Sequence, residues 1–157
     1  GELYSYMNYG IEPDVVSTAK GIGGGLPLGV CMLGDKVKDV FEPGDHGSTF
    51  GGNPVCCAGA ISIMERLDDG FMKSVREKSK YIFESLSGAK GIEGVCGMGL
   101  MIGIKTTKPA GEVVKKCIEN GVLCLTAKDK VRLLPALNIP QELLEKAIDV
   151  IKEAAAS

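Results

Sequence analysis

Lys20 is the side chain in this 157-residue sequence whose surroundings most suggest chemistry. It closes the run Asp14-Val-Val-Ser-Thr-Ala and is followed at once by Gly21-Ile-Gly-Gly-Gly25-Leu-Pro-Leu-Gly29. A lysine placed this way has two readings. It can be a loop lysine reaching water, as most are. It can also be a partly desolvated amine, whose lowered pKa makes the neutral form available as a nucleophile toward a carbonyl. The glycines favour the second reading, because they let the backbone approach a flat ligand that side chains would hold off. A phosphate-binding P-loop is excluded, since its lysine follows the glycines and precedes Ser or Thr.

Two further positions draw attention. Arginines occur only at 66, 76 and 132, and Arg132 alone sits inside an otherwise apolar run, Val131-Arg-Leu-Leu134. A charge there is paired within the chain or held for a ligand, because leaving it buried and alone costs several kcal/mol. The loop Gly47-Ser-Thr-Phe-Gly-Gly-Asn-Pro54 offers free backbone N–H groups and two hydroxyls, Ser48 and Thr49, a composition suited to an anion such as phosphate. His46, the only histidine, reads as a structural loop residue.

The elements that must position these groups follow from pattern. Val15 to Thr18 suit a strand and the glycines stop it, so Lys20 sits at a strand end. Gly29 to Leu33 form a second strand, whose continuously apolar character predicts burial on both faces, so that Lys20 projects from a buried sheet edge. Val37, Val40 and Phe41 predict a short amphipathic helix within 35–45, ended by Pro43-Gly44-Asp45. Asn53 as N-cap and Pro54 in the first turn start a helix that runs to about Leu67. Its first half, Val55 to Met64, is apolar nearly all round, which implies burial against other helices or a partner subunit.

A domain boundary is placed near Gly70, giving units of residues 1–70 and 71–157. The second unit opens with an amphipathic helix from Phe71 to Leu86 and continues as a compact α+β arrangement. Strands are expected at Ile92–Cys96 and Leu100–Lys105, then a helix from Ala110 to Asn120 ended by Gly121. Strands Val122–Thr126 and Val131–Leu134 should flank the Lys128-Asp129-Lys130 turn, and a last helix runs from Gln141 to Ala155. Gly97-Met-Gly-Leu-Met-Ile-Gly103 is a turn between strands and not a dinucleotide fingerprint, because its third glycine is displaced.

Composition narrows the partners. Eighteen basic and twenty acidic residues give a formal charge of −2 with no basic cluster, so neither nucleic acid nor a membrane surface is expected as a partner. The six cysteines at 31, 56, 57, 96, 117 and 124 form no C-x-x-C pair and have no neighbouring histidine, which argues against a metal site. Free thiols in apolar runs, no signal-like N-terminus and no long apolar segment point to the cytoplasm and a small-molecule ligand.

The run from Tyr9 to Gly29 around Lys20 resembles the cofactor-lysine segment of the class III pyridoxal-phosphate aminotransferases, and His46 to Pro54 resembles a second segment of the same family. Val131-Arg-Leu-Leu-Pro-Ala-Leu-Asn138 is similar to the branch of that family acting on N-acetylornithine and its ornithine-pathway relatives. The resemblance covers essentially the whole chain. It implies an α/β fold, the C-terminal part of a fold-type I pyridoxal-phosphate transferase, comprising the end of the large α/β domain and a small α+β C-terminal domain. It also implies pyridoxal 5'-phosphate as cofactor, Lys20 as its Schiff-base and proton-moving residue, and Gly23 to Gly25 as the wall beside its ring. Thr49, with Ser48 as a lesser candidate, would hold its phosphate across a homodimer interface, and Arg132 would grip the substrate α-carboxylate. The implied reaction moves an ω-amino group, as from N-acetylornithine to 2-oxoglutarate in arginine biosynthesis. Ornithine, 4-aminobutyrate and succinyl-diaminopimelate are the alternative donors, and a non-catalytic fragment or oligomerisation module is the alternative of a different class. In this reading the aspartate that pairs with the cofactor's ring nitrogen belongs upstream of Gly1, and none of Glu2, Glu12 and Asp14 stands in its motif.

Overall fold

The computed structural model describes residues 1–157 and divides into two compact units, Glu2–Met72 and Lys73–Ser157 together with Gly1.

In the first unit, β1 (Val15–Ala19) and β2 (Gly29–Leu33) form an antiparallel hairpin in register from Val15 opposite Leu33 to Ala19 opposite Gly29. The connection begins with a 3-10 turn at Lys20–Gly23. The apolar run of β2 predicts burial on both faces, but Gly29 and Cys31 are exposed and Val30, Met32 and Leu33 only half-buried. The physical reason is that β1 is the sole strand beside it, and a two-stranded sheet has little to cover it. Helix α1 (Pro54–Met64) starts where expected, with Asn53 Oδ1 accepting from the backbone N–H of Val55 at 3.1 Å and of Cys56 at 3.2 Å. It stops before Leu67, and Val55 and Ile61 remain 65% and 59% exposed. The helix expected within 35–45 does not form. Isolated turns close there instead, with Val37 and Lys38 both donating to the Gly34 carbonyl, Val40 to that of Val37 and Asp45 to that of Glu42. Pro43-Gly44 leaves too short a segment to repay helix nucleation, and Val40 and Phe41 stay exposed instead of anchoring it.

Helix α2 (Asp69–Leu86) begins two residues earlier than the pattern suggests, because Asp68 Oδ1 accepts from Phe71 N–H at 2.7 Å. In the second unit an antiparallel sheet has strand order β3-β4-β6-β5, formed by Ile92–Met98, Met101–Thr106, Lys130–Leu133 and Leu125–Ala127 respectively. Helices α3 (Ala110–Glu119) and α4 (Gln141–Ala156) complete it. Along β4, Ile102, Ile104 and Thr106 are buried while Met101 and Lys105 are exposed, the alternation of a sheet with one covered face. Val75, Ile82 and Leu86 of α2, Val131 and Leu133 of β6, Val113 and Cys117 of α3, and Leu144, Ile148 and Ile151 of α4 are also part of that core. Strand β5 is shorter than expected and starts at Leu125. Val122 N–H is taken by the Cys117 carbonyl at 2.8 Å to finish α3, and Cys124 is buried. No helix is long and apolar enough to cross a membrane.

Candidate functional site

Lys20 stands at the end of β1, as its sequence context requires, but the structure corrects its surroundings. The residue is exposed and does not project from a buried edge. Its backbone is left-handed, at φ 57°. A residue other than glycine reaches that region at a cost of roughly 1–3 kcal/mol, and such residues cluster at functional sites when their surroundings over-determine them. The Lys20 amine takes part in no hydrogen bond and no ion pair, so it is a free primary amine on a constrained backbone.

The glycines after Lys20 divide into two sets. Gly24 (φ 60°) closes the turn by donating to the Gly21 carbonyl at 3.1 Å, and a Cβ on it would stand 2.9 Å from Ile63 Cγ1 of α1. Gly23 is buried, its Cβ position 3.2 Å from Leu28 Cβ. Gly21 and Gly25 face open space. Close packing therefore explains Gly23 and Gly24, and of the three glycines expected to line a ligand wall only Gly25 borders a free volume.

The 47–52 loop is exposed throughout, and its one backbone hydrogen bond runs from Gly51 N–H to the Ser48 carbonyl at 3.1 Å. The hydroxyls of Ser48 and Thr49 have no protein partner, so this donor set fits a phosphate: hydroxyls and loop amides uncommitted to other acceptors. His46 packs its ring edge-on against Phe41, with centroids 4.8 Å apart. No hydrogen bond or ion pair joins Lys20 to Ser48 or Thr49 within the unit. Asp14, the carboxylate nearest Lys20 in sequence, pairs with Lys36 at 3.2 Å. It precedes the other end of β1, about 20 Å of extended chain away, and so does not serve a group held at Lys20.

Arg132 belongs to the second unit. It lies on β6 between Gly103 of β4 and Leu125 of β5, on the face opposite the core residues Val131 and Leu133. The residue is half-buried, and its Nε is buried with no hydrogen-bond partner. No carboxylate pairs with it, which sets aside the intramolecular salt bridge as its explanation. A buried donor left unmet costs about 1–3 kcal/mol, and a planar carboxylate laid on the guanidinium fork would recover it. Gly103 beside it leaves the face flat; a Cβ there would stand 3.2 Å from both Cys96 Sγ and Lys130 Cδ. Lys130, expected in the turn before this strand, is the first residue of β6 and by alternation shares the face of Arg132; the left-handed backbone at Lys20 has no sequence signal.

The sequence matches the family described as Aminotransferase class-III over residues 1–155. It is 40% identical over 155 residues to the acetylornithine aminotransferase of Haemophilus ducreyi, covering 98% of this chain and 39% of the relative. It is 40% identical over 161 residues to that of Clostridium acetobutylicum, covering 98% of this chain and 42% of the relative. The chain thus spans about two fifths of the length of these curated relatives. Among solved structures, the ornithine aminotransferase of Toxoplasma gondii ME49 superposes with a TM-score of 0.88 at 28% identity, over 98% of this chain and 39% of the other. The acetylornithine aminotransferase of Elizabethkingia anophelis gives 0.86 at 26% identity, over 98% and 43%. With its sequence matched almost end to end and its fold repeated within those solved aminotransferases, the chain belongs to the class-III aminotransferase family.

Proposed function

We propose that this chain is the lysine-bearing part of a pyridoxal-phosphate-dependent aminotransferase that takes the terminal amine of N-acetylornithine and passes it to 2-oxoglutarate. The observation that carries the reading is the uncommitted amine of Lys20 on a left-handed backbone at a glycine turn. Pyridoxal 5'-phosphate, when bound, supplies an electron sink for the carbon that exchanges its amine. Lys20 Nζ would hold the cofactor's aldehyde carbon and, once released, take a proton from the nitrogen-bearing substrate carbon and return one on the other side of the exchange. The hydroxyl of Thr49, with that of Ser48, would donate to the phosphate of the neighbouring copy in a homodimer. Arg132 would grip the substrate α-carboxylate through both arms of its fork, meeting its unpartnered Nε.

The similarity to acetylornithine aminotransferases supports N-acetylornithine as donor, and with it a place in cytoplasmic arginine biosynthesis. Ornithine is the second reading, favoured by the likeness to ornithine aminotransferase structures. Residues 1–157 contribute no carboxylate to the ring nitrogen in this reading, so activity belongs to the full-length enzyme.

The test is a visible absorption spectrum with added pyridoxal phosphate, followed by borohydride reduction and peptide mapping. A pH-sensitive band with the label on Lys20 alone is expected in the full-length enzyme. Labelling scattered over surface lysines would sink the assignment.

A further inference from the structure

The turn that begins with Lys20 rests on α1 at two residues one helical turn apart, Gly59 and Ile63. Ile63 receives Gly24, as described above. Gly59 receives Leu26: a Cβ on Gly59 would stand 2.8 Å from Leu26 Cδ1 and 3.4 Å from the Gly23 carbonyl oxygen. That same carbonyl accepts from Leu26 N–H at 3.1 Å, so the seat on α1, the leucine and the end of the Lys20 turn form one contact.

Glycine inside a helix is disfavoured relative to alanine. Gly59 has an ordinary helical backbone, so conformational freedom does not explain it. Space does, and Leu26 fills that space.

We infer that Gly59 is a positioning residue for Lys20, acting through Leu26. Its missing side chain lets Leu26 dock on α1, and the docked leucine holds the Gly23 end of the turn so that Lys20 keeps its left-handed conformation. The inference rests on the proposed function only for the role of Lys20; the mechanical linkage stands on the geometry.

The experiment uses the full-length enzyme with Gly59→Leu, Gly59→Ala and the double variant Gly59→Leu/Leu26→Ala. Gly59→Leu occupies the seat of Leu26. Labelling of Lys20 by pyridoxal phosphate and borohydride, and kcat with it, should fall about ten-fold or more, in line with the cost of small misplacements of a reacting group. The KM for the amino donor should hold, and amide exchange at Gly24 and Leu26 should accelerate. Removing the clash with Leu26→Ala should restore labelling and exchange. Gly59→Ala should fold at least as well as the parent and show a milder loss, because the opposing atom is the tip of a leucine that can rotate. Parent-like labelling and exchange in Gly59→Leu, or a loss that Leu26→Ala fails to relieve, would overturn the linkage. If the parent enzyme itself shows no preference for Lys20, the proposed function falls, while the exchange rates at Gly24 and Leu26 still decide the role of Gly59.

Discussion

The two units bury their side chains very differently. Cys56 is the only buried apolar side chain of residues 2–72, whereas the core of residues 73–157 draws on every one of its helices and on the covered face of its sheet. The first unit leaves Tyr9, Ile11, Val15, Val40, Phe41, Phe50, Val55 and Ile61 at least half exposed. It also carries the strained Lys20 and the uncommitted hydroxyls of Ser48 and Thr49. The groups proposed to hold the cofactor lie where local packing is thinnest, so the turn that follows Lys20 depends on a few specific contacts of Gly24 and Leu26 with α1. In the second unit the reverse holds: a closed core supports two local irregularities, the left-handed backbone of Lys128 in the β5–β6 turn and an arginine with an unmet donor on the uncovered sheet face.

The largest test of this contrast separates the units. Residues 73–157 alone should unfold cooperatively, as a small domain with a stability on the order of 5 kcal/mol. Residues 2–72 alone should show no cooperative transition, because a two-stranded hairpin and one helix bury too little to offset chain entropy. Thermal unfolding followed by circular dichroism decides it, and a sharp transition in residues 2–72 would break the comparison. A finer version uses point substitutions. Ile148→Ala, at a position with 0% exposure, should cost about 2–5 kcal/mol in urea unfolding of this chain. Ile61→Ala, at 59% exposure, should change stability by no more than about 0.5 kcal/mol.

Arg132 sharpens the contrast from the other side. Arg132→Leu removes an unmet buried donor, so the second unit should gain up to about 1–3 kcal/mol. In the full-length enzyme the KM for the amino donor should meanwhile rise at least about ten-fold, the scale of a charge-assisted hydrogen bond. Equal losses in stability and in binding would instead mean that Arg132 is held by a partner within the fold.

The difference between the units also governs how much could be read from sequence. In the second unit local pattern and burial agree, and strands and helices fall close to their expected places. The exceptions are shifts of a few residues, as where the Cys117 carbonyl captures Val122 and delays β5 to Leu125. In the first unit the pattern of Gly29–Leu33 misleads, because it reads as buried and is largely uncovered, whereas Val55–Met64, read as buried against other helices or a partner subunit, is left largely uncovered by this chain alone. Lys20 and Arg132 were legible as odd residues in their contexts. The left-handed turn at Lys20, the Gly59–Leu26 contact and the orphan Nε depend on three-dimensional neighbours and leave no periodic trace.

The smallest effect concerns the second core and its buried thiols. Cys117 and Cys124 are both buried, and burial pushes the Cys117 thiol up to about 12 from an ordinary 9.0, with the neighbouring Cys124 adding to the shift. The Cys124 thiol is also raised by burial, while a hydrogen bond from Cys117 works the other way. An unfolded chain releases these protons near pH 9 and the folded chain retains them, so the unfolded state binds fewer protons at alkaline pH. Stability is therefore full below about pH 9 and declines as pH rises toward 12, by at most about 1.4 kcal/mol per pH unit for Cys117. The unfolding free energy from urea titrations should be lower at pH 10 than at pH 8 by about 1.4 kcal/mol for the parent chain and by less for Cys117→Val, which keeps the packing and removes the titration. An identical alkaline loss in both would place the sensitivity outside this core, and the second unit would then owe less to its closed interior than the comparison claims.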